Sequence, residues 1–134
     1  VLTFEELQAL LDSRDIDITQ LEETPINDGS YYGRIFARVG GLTDAVKEGI
    51  KEKGIEDFEA KPVVCDGIEE CKVALLKLRK NPLDGNFIEG MACQGGCVSG
   101  NGCLTHMAKS RMDVEKFGKE AEKQTIGDAL SDTK

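Results

Sequence analysis

The chain has 134 residues, 40% of them hydrophobic and 31% charged, which suits a single globular unit, or a piece of one, and argues against disordered and membrane-spanning classes. Its formal charge is −8, with eight acids and only Arg14 as a base in residues 1–30, so it lacks the basic surface that a nucleic-acid partner requires. No apolar run nears the ~20 residues of a spanning helix, and Val1-Leu2-Thr3-Phe4-Glu5-Glu6 has neither the basic nor the apolar region of a signal peptide, so the expectation is a cytoplasmic protein with no membrane partner.

Val1-Leu2 reads as the end of a strand. Thr3 and Glu6 then have the spacing of a capping box, and Phe4, Leu7, Leu10 and Leu11 share a face, predicting a helix over about 3–13. From Asp15 to Tyr32 no period is sustained, and the stretch reads as a long surface connection. Tyr31 and Tyr32 are expected to be surface aromatics that pack against further chain. Leu42, Ala45, Val46 and Ile50 predict a helix over about 42–53, ended at Gly54. Pro62-Val63-Val64-Cys65 reads as a short buried strand and Asp66 with Glu69 as a helix-start signal. Ile68, Cys71, Leu75 and Leu78 form the expected buried face of a helix that runs to the Asn81-Pro82 breaker. Asn86-Phe87-Ile88-Glu89 reads as a second strand. A last helix is expected to turn Val114, Phe117 and Ala121 inward, and residues 125–134 read as a frayed tail.

Strand, helix and strand in this order make a βαβ unit, so the fold class is α/β, a short parallel sheet flanked by helices. In such sheets ligands sit beyond the carboxyl ends of the strands. The chain leaving the second strand at that end is Gly90-Met91-Ala92-Cys93-Gln94-Gly95-Gly96-Cys97. Five cysteines, an odd number without a secretory signal, fit metal ligation or buried thiols better than a disulfide framework. Cys65 and Cys71 read as small apolar packing groups. Cys93, Cys97, Cys103 and His106 form a C-x3-C-x5-C-x2-H set that could close a tetrahedral zinc site, and iron–sulfur ligation with further thiolates from elsewhere is equally open on spacing. Glycines suit a cluster, because they let backbone come close without a Cβ in the way.

Phe87-Ile88-Glu89-Gly90-Met91-Ala92-Cys93-Gln94-Gly95-Gly96-Cys97-Val98-Ser99-Gly100-Asn101-Gly102 resembles the third signature of the iron-only, or [FeFe], hydrogenases, F-x-E-x-M-A-C-x-G-G-C-x-x-G-x-G. Gly33-x-Ile35-Phe36 and Gly40-Gly41-Leu42-Thr43-Asp44-Ala45 resemble the family's glycine-rich segment and the helix after it. The resemblance implies that residues 1–134 are the C-terminal lobe of a catalytic domain whose active site is the H-cluster. That cofactor is a [4Fe-4S] cubane joined through a cysteine sulfur to a two-iron unit carrying CO and cyanide. Carried over, Cys93 and Cys97 ligate the cubane, Cys97 bridges to the two-iron unit, Met91 lies beside that unit, and Gly95 and Gly96 bend the loop against the cluster. The implied parent is an oxidoreductase that interconverts H2 with protons and electrons, passes electrons to ferredoxin or a similar carrier, and is loaded by hydrogenase maturation proteins. The alternative is a non-catalytic zinc or iron–sulfur module, or an H2 sensor.

Two departures stand in the loop. Gln94 replaces a common proline, and Gly102-Cys103-Leu104 replaces a common Gly-Gln-Pro. Cys103 lies beyond the family's ligand positions and reads as a spare thiol, with ligation beside His106 as the alternative. The family's other cysteine signatures, T-S-C-C-P and M-P-C, are not in this sequence. The chain therefore reads as part of a longer hydrogenase whose N-terminal lobe supplies the remaining ligands. Alone, it is expected to lack activity and the cluster, and the loop from Gly90 to Gly102 is expected to be mobile.

Overall fold

In the computed structural model, which describes residues 1–25, 29–80, 84–106 and 108–131, the chain forms a two-stranded parallel sheet and six helices. The strands are β1, Pro62–Asp66, and β2, Phe87–Met91, joined through helix α4, Ile68–Lys80. Register pairs Val64 with Glu89 and Cys65 with Gly90. Successive strand residues point to opposite faces, and these two pairs define what covers each face. On the Cys65 face lies α4, with Ala74 buried and Cys71 Sγ only 3.3 Å from where a Cβ on Gly90 would stand. On the Glu89 face lies the start of α3, Gly41–Glu52. The βαβ unit and the parallel pairing agree with the α/β expectation. The Asn81-Pro82 breaker lies outside the described residues.

Local signals place the other elements. Helix α1, Phe4–Asp12, opens on the expected capping box: Thr3 Oγ1 accepts the Glu6 N–H, and Glu6 accepts the Thr3 N–H at 2.8 Å. Helix α3 ends where Gly54 turns left-handed, at φ +63°. Within the expected surface connection, Ser30 caps a single turn, α2, Tyr31–Arg34. Helix α5, Ser110–Lys119, crosses this turn at Gly118, where a Cβ would come within 2.7 Å of the fully buried Ile35.

Several expectations are corrected. Val1 and Leu2 are exposed and form no strand. The apolar face of α1 is not covered: Phe4, Leu7 and Leu10 are exposed. In α4, the stripe that meets the sheet is Cys71 with Ala74, while Ile68, Leu75 and Leu78 are exposed, Leu75 at 59%. A sheet two strands wide covers only a narrow stripe of helix, and a period read from large residues marks a wider one. Phe117 is exposed at the edge of α5 with the Arg34 guanidinium 4.5 Å from its ring centroid, and Ala121 is buried just beyond the helix. Tyr31 and Tyr32 are half-buried within this chain, edge to face at 5.1 Å. Where a frayed tail is expected, Ile126–Ser131 form α6, because Glu52 at the end of α3 accepts the Ile126 and Gly127 N–H groups at 2.7 and 2.8 Å. Residues 132–134 lie outside the described residues.

A polar network ties α2, α3 and α5. Arg38 is buried and donates to Asp44 at 2.8 Å and to Glu115 at 2.9 Å, and the Tyr31 hydroxyl donates to Glu115 at 2.6 Å. The Tyr31 hydroxyl and the Arg38 charge hold the Glu115 carboxyl below its ordinary value, and Glu115 in turn raises Tyr31. A depressed carboxyl contributes stability above its unfolded value and loses it as pH falls through the folded one; the raised phenol loses its contribution as pH rises through its own folded value. Tyr31→Phe should therefore cost about 1 kcal/mol at neutral pH, with the difference from the unsubstituted chain closing once Glu115 is protonated, below the ordinary 4.5. Urea unfolding at a series of acid pH values measures it.

Candidate functional site

Both strands end at one edge of the sheet because they are parallel, and the cysteine loop leaves β2 there. Three regions of the chain shape it. Gly95 donates to the Asp66 carboxylate at 2.6 Å, at the end of β1. Gly95 O accepts the Val39 N–H at 3.1 Å, and Val98 N–H donates to Ala37 O at 3.0 Å. Within the loop, Gly96 N–H donates to Cys93 O at 3.0 Å and Gly100 N–H to Cys97 O at 3.0 Å. Gly96 stands at φ +97°, ψ −171°, a conformation essentially reserved for glycine. It is buried flat against residues 37–39, where a Cβ would stand 2.5 Å from Ala37 O and 2.7 Å from Val39 N. The loop is thus bonded on its inner side to other parts of this chain.

The clamp at 37–39 is itself placed by Glu89. Helix α3 begins at Gly40, which is left-handed at φ +83° and has no side chain to cap it. Glu89, 1% exposed, reaches across from β2 instead, accepting the Gly40 N–H at 2.8 Å and the Thr43 N–H at 2.9 Å, along with the Thr43 hydroxyl. One carboxylate therefore fixes the strand that carries the cysteines to the turn that grips their loop.

On its outer side the loop is open. Cys97 is exposed and borders an open hollow of about 410 Å3 lined by Val1, Leu2, Phe4, Leu7 and Cys103. Cys93 is part-buried, and its Sγ lies 3.2 Å from where a Cβ on Gly100 would stand, so the bare glycine keeps one flank of that sulfur clear. Met91 closes β2, its carbonyl accepting the Gly67 N–H at 2.8 Å. Cys103 Sγ donates to Cys97 O at 3.1 Å, and His106 Nδ1 lies 3.2 Å from Ser99 O. Among the described residues no three His, Cys, Asp or Glu side chains gather as a metal-holding group, so the zinc set of Cys93, Cys97, Cys103 and His106 is not brought together. Two thiols beside glycines that admit close approach fit one wall of a cluster whose other ligands come from elsewhere. Cys65 is buried at the end of β1, where burial, helped by Cys71, pushes its thiol up, in keeping with a packing role.

The family described as "Iron only hydrogenase large subunit, C-terminal domain" matches residues 1–101. The chain belongs to this family. Iron hydrogenase 1 of Clostridium pasteurianum is 31% identical to it over a 131-residue alignment that covers 76% of this chain and 23% of the relative. The chain therefore spans about a quarter of that relative's length. Membership makes it hydrogenase-related, and the iron-only hydrogenase match contains Cys93 and Cys97 but stops short of Cys103 and His106.

Two residues of this hydrogenase loop's support escape a reading of the sequence. Glu89 reads as part of a strand and as a position of the matched signature, neither of which shows that it caps α3; a lone acid in a short apolar strand, with a Gly-Gly helix start elsewhere, is the signal that finds that role. Asp66 reads as a helix cap. That pairing with Glu69 is not formed: Glu69 binds Lys72, Glu70 accepts the Asp66 N–H at 2.8 Å, and the Asp66 carboxylate is turned to Gly95.

The two glycines should respond differently to a methyl group. Gly96→Ala meets backbone on two sides and should cost more than about 2 kcal/mol. Gly95→Ala, at φ +81° and facing only the Ser99 side chain, its hydroxyl at 3.2 Å, should cost about 1 kcal/mol. Urea midpoints of the two variants test the order.

Proposed function

We propose that this chain forms one wall of a hydrogenase active site in a longer protein that interconverts H2 with protons and electrons. Cys93 and Cys97 would hold the [4Fe-4S] cubane of the H-cluster, and Cys97 would also serve its two-iron CO and cyanide unit, as the sequence resemblance implies. The observation that carries the reading is the two-sided loop: gripped from inside by residues 37–39 and Asp66, and presenting Cys97 to an open apolar hollow outside. When bound, the cluster supplies the iron at which H2 and two protons with two electrons exchange. The chain's own residues would hold and orient it. Cys93 and Cys97 would ligate; Gly100 leaves one flank of the Cys93 sulfur clear, and Gly96 lets the loop lie against residues 37–39; Met91, at the end of β2, would contact the two-iron unit as the resemblance implies; Val1, Leu2, Phe4 and Leu7 give the hollow its apolar lining.

The partner of this wall is the N-terminal lobe of the same hydrogenase, which supplies the remaining cubane ligands. Two exposed apolar surfaces agree with such a neighbour: Phe4, Leu7 and Leu10 on α1, and Ile68, Val73, Leu75, Leu76 and Leu78 on α4. Large exposed apolar patches mark interaction sites on protein surfaces. Ferredoxin or a similar carrier exchanges electrons with the parent, and hydrogenase maturation proteins load the two-iron unit. In this reading Cys103 and His106 are not ligands. No helix among the described residues is long and apolar enough to cross a membrane.

The full-length parent, matured without oxygen, should reduce a dye with H2. Loss of a group that merely supports a metal ligand costs 10–100-fold, so Cys97→Ala should lower activity by more than about 100-fold. It should also lower bound iron, whereas Cys103→Ser should retain both. Undiminished activity and iron in Cys97→Ala overturn the ligand reading. The isolated chain, with two of four cubane ligands, should purify without stoichiometric iron and sulfide.

A further inference from the structure

Asp66 has a bond that neither the sheet nor the following helix requires. It is the last residue of β1, and its carboxylate, rather than capping α4, accepts the Gly95 N–H at 2.6 Å. A bond this short to an ionic acceptor is of the charge-assisted kind. The turn that carries it is firmly set: Gly67 N–H donates to Met91 O at 2.8 Å, and Gln94 Cγ lies 3.1 Å from where a Cβ on Gly67, at φ +100°, would stand. The 94–95 peptide therefore rests on the 66–67 turn. With Gly95 O bonded to Val39, both polar groups of the Gly95 backbone are held.

Gly95 is two residues from Cys93 and two from Cys97. Consecutive Cα atoms are 3.80 Å apart, so its Cα lies within about 8 Å of both cysteine Cα atoms. The Asp66 carboxylate is 2.6 Å from the Gly95 nitrogen, and partly buried charges are screened less than exposed ones. Two consequences follow for a cluster on these sulfurs. Its surroundings lose one backbone donor, because the Gly95 N–H is committed to Asp66. They also gain a negative charge. Cluster potentials respond to hydrogen bonds at sulfur and to net charge, and both changes disfavour the reduced, more negative state. Glu70, which accepts the Asp66 N–H at 2.8 Å, adds a second carboxylate one bond further away.

We propose that Asp66 is a positioning residue for the cysteine loop whose charge also holds the cluster on Cys93 and Cys97 at a more negative potential than a neutral residue would. The inference rests on the ligand reading above.

The test is a redox titration of the cubane, followed by its paramagnetic resonance, in the loaded parent and in Asp66→Asn, Asp66→Ala and Glu70→Gln. Asparagine keeps an oxygen to accept the Gly95 N–H and removes the charge. Asp66→Asn should retain iron and titrate at a more positive potential. Asp66→Ala should shift in the same direction, bind less iron and exchange its Gly95 amide faster. Glu70→Gln should give a smaller positive shift, and it reads the charge effect even if the Asp66 variants do not load. An unmoved potential in Asp66→Asn and Glu70→Gln, with the cluster present, overturns this inference alone. A parent that binds no cluster overturns the ligand reading, and this inference with it.

Discussion

A single buried carboxylate sets the geometry on which the cysteine loop depends. Glu89 leaves β2 on the face opposite Gly90 and meets the start of α3, where three donors converge on it. Burying a carboxylate is costly unless such donors replace water, and the positive end of a 12-residue helix adds to them. Once α3 is fixed this way, the preceding residues 37–39 have one place to lie. That place is against Gly96. Arg38 reinforces it through its pairs with Asp44 and Glu115, which carry the constraint on to α5. The cysteines are thus located by packing and hydrogen bonds two steps removed from their own sulfur chemistry.

The molecule is uneven about this loop. Toward α3 and α5 the buried neighbours, Ile35 and Val39 among them, are closed over, and among the described residues no buried side-chain nitrogen or oxygen lacks a partner. Toward α1 the surroundings are apolar and open. A completed interior would cover Phe4 and Leu7, and a helix finished on all sides would not expose the leucines of α4. The pattern is that of a half-core, stable where it is closed and adhesive where it is open, and it places the thiol of Cys97 at the boundary between the two halves. A site assembled between two lobes would gain from one half ordered in advance, since less ordering is then left to the moment of binding.

Features set by near neighbours along the chain were legible in the sequence. The Thr3–Glu6 box, the stop at Gly54, the two strands with their crossover and the position of Cys93 and Cys97 at the carboxyl edge all follow from spacing and turn chemistry. Features set by what lies across a gap were not. The stripe of α4 that meets the sheet depends on how wide the sheet is, and α6 depends on Glu52, more than seventy residues away. Spacing also says nothing of direction: Cys103 and His106 have plausible ligand intervals, yet each is turned to a backbone carbonyl. The roles of Glu89 and Asp66 were illegible for a related reason, because each side chain serves an element other than its own.

The central claim is that the loop takes its shape from this chain's scaffold before any cluster is bound. Amide hydrogen exchange of the cluster-free protein tests it most directly, at the N–H groups of Val39, Gly95 and Val98, read against those of Gly40 and Thr43 at the Glu89 cap. The account predicts that all five exchange slowly and lose protection together on unfolding. Exchange of Gly95 and Val98 at the rate of an unstructured peptide, while Gly40 and Thr43 stay protected, would contradict it.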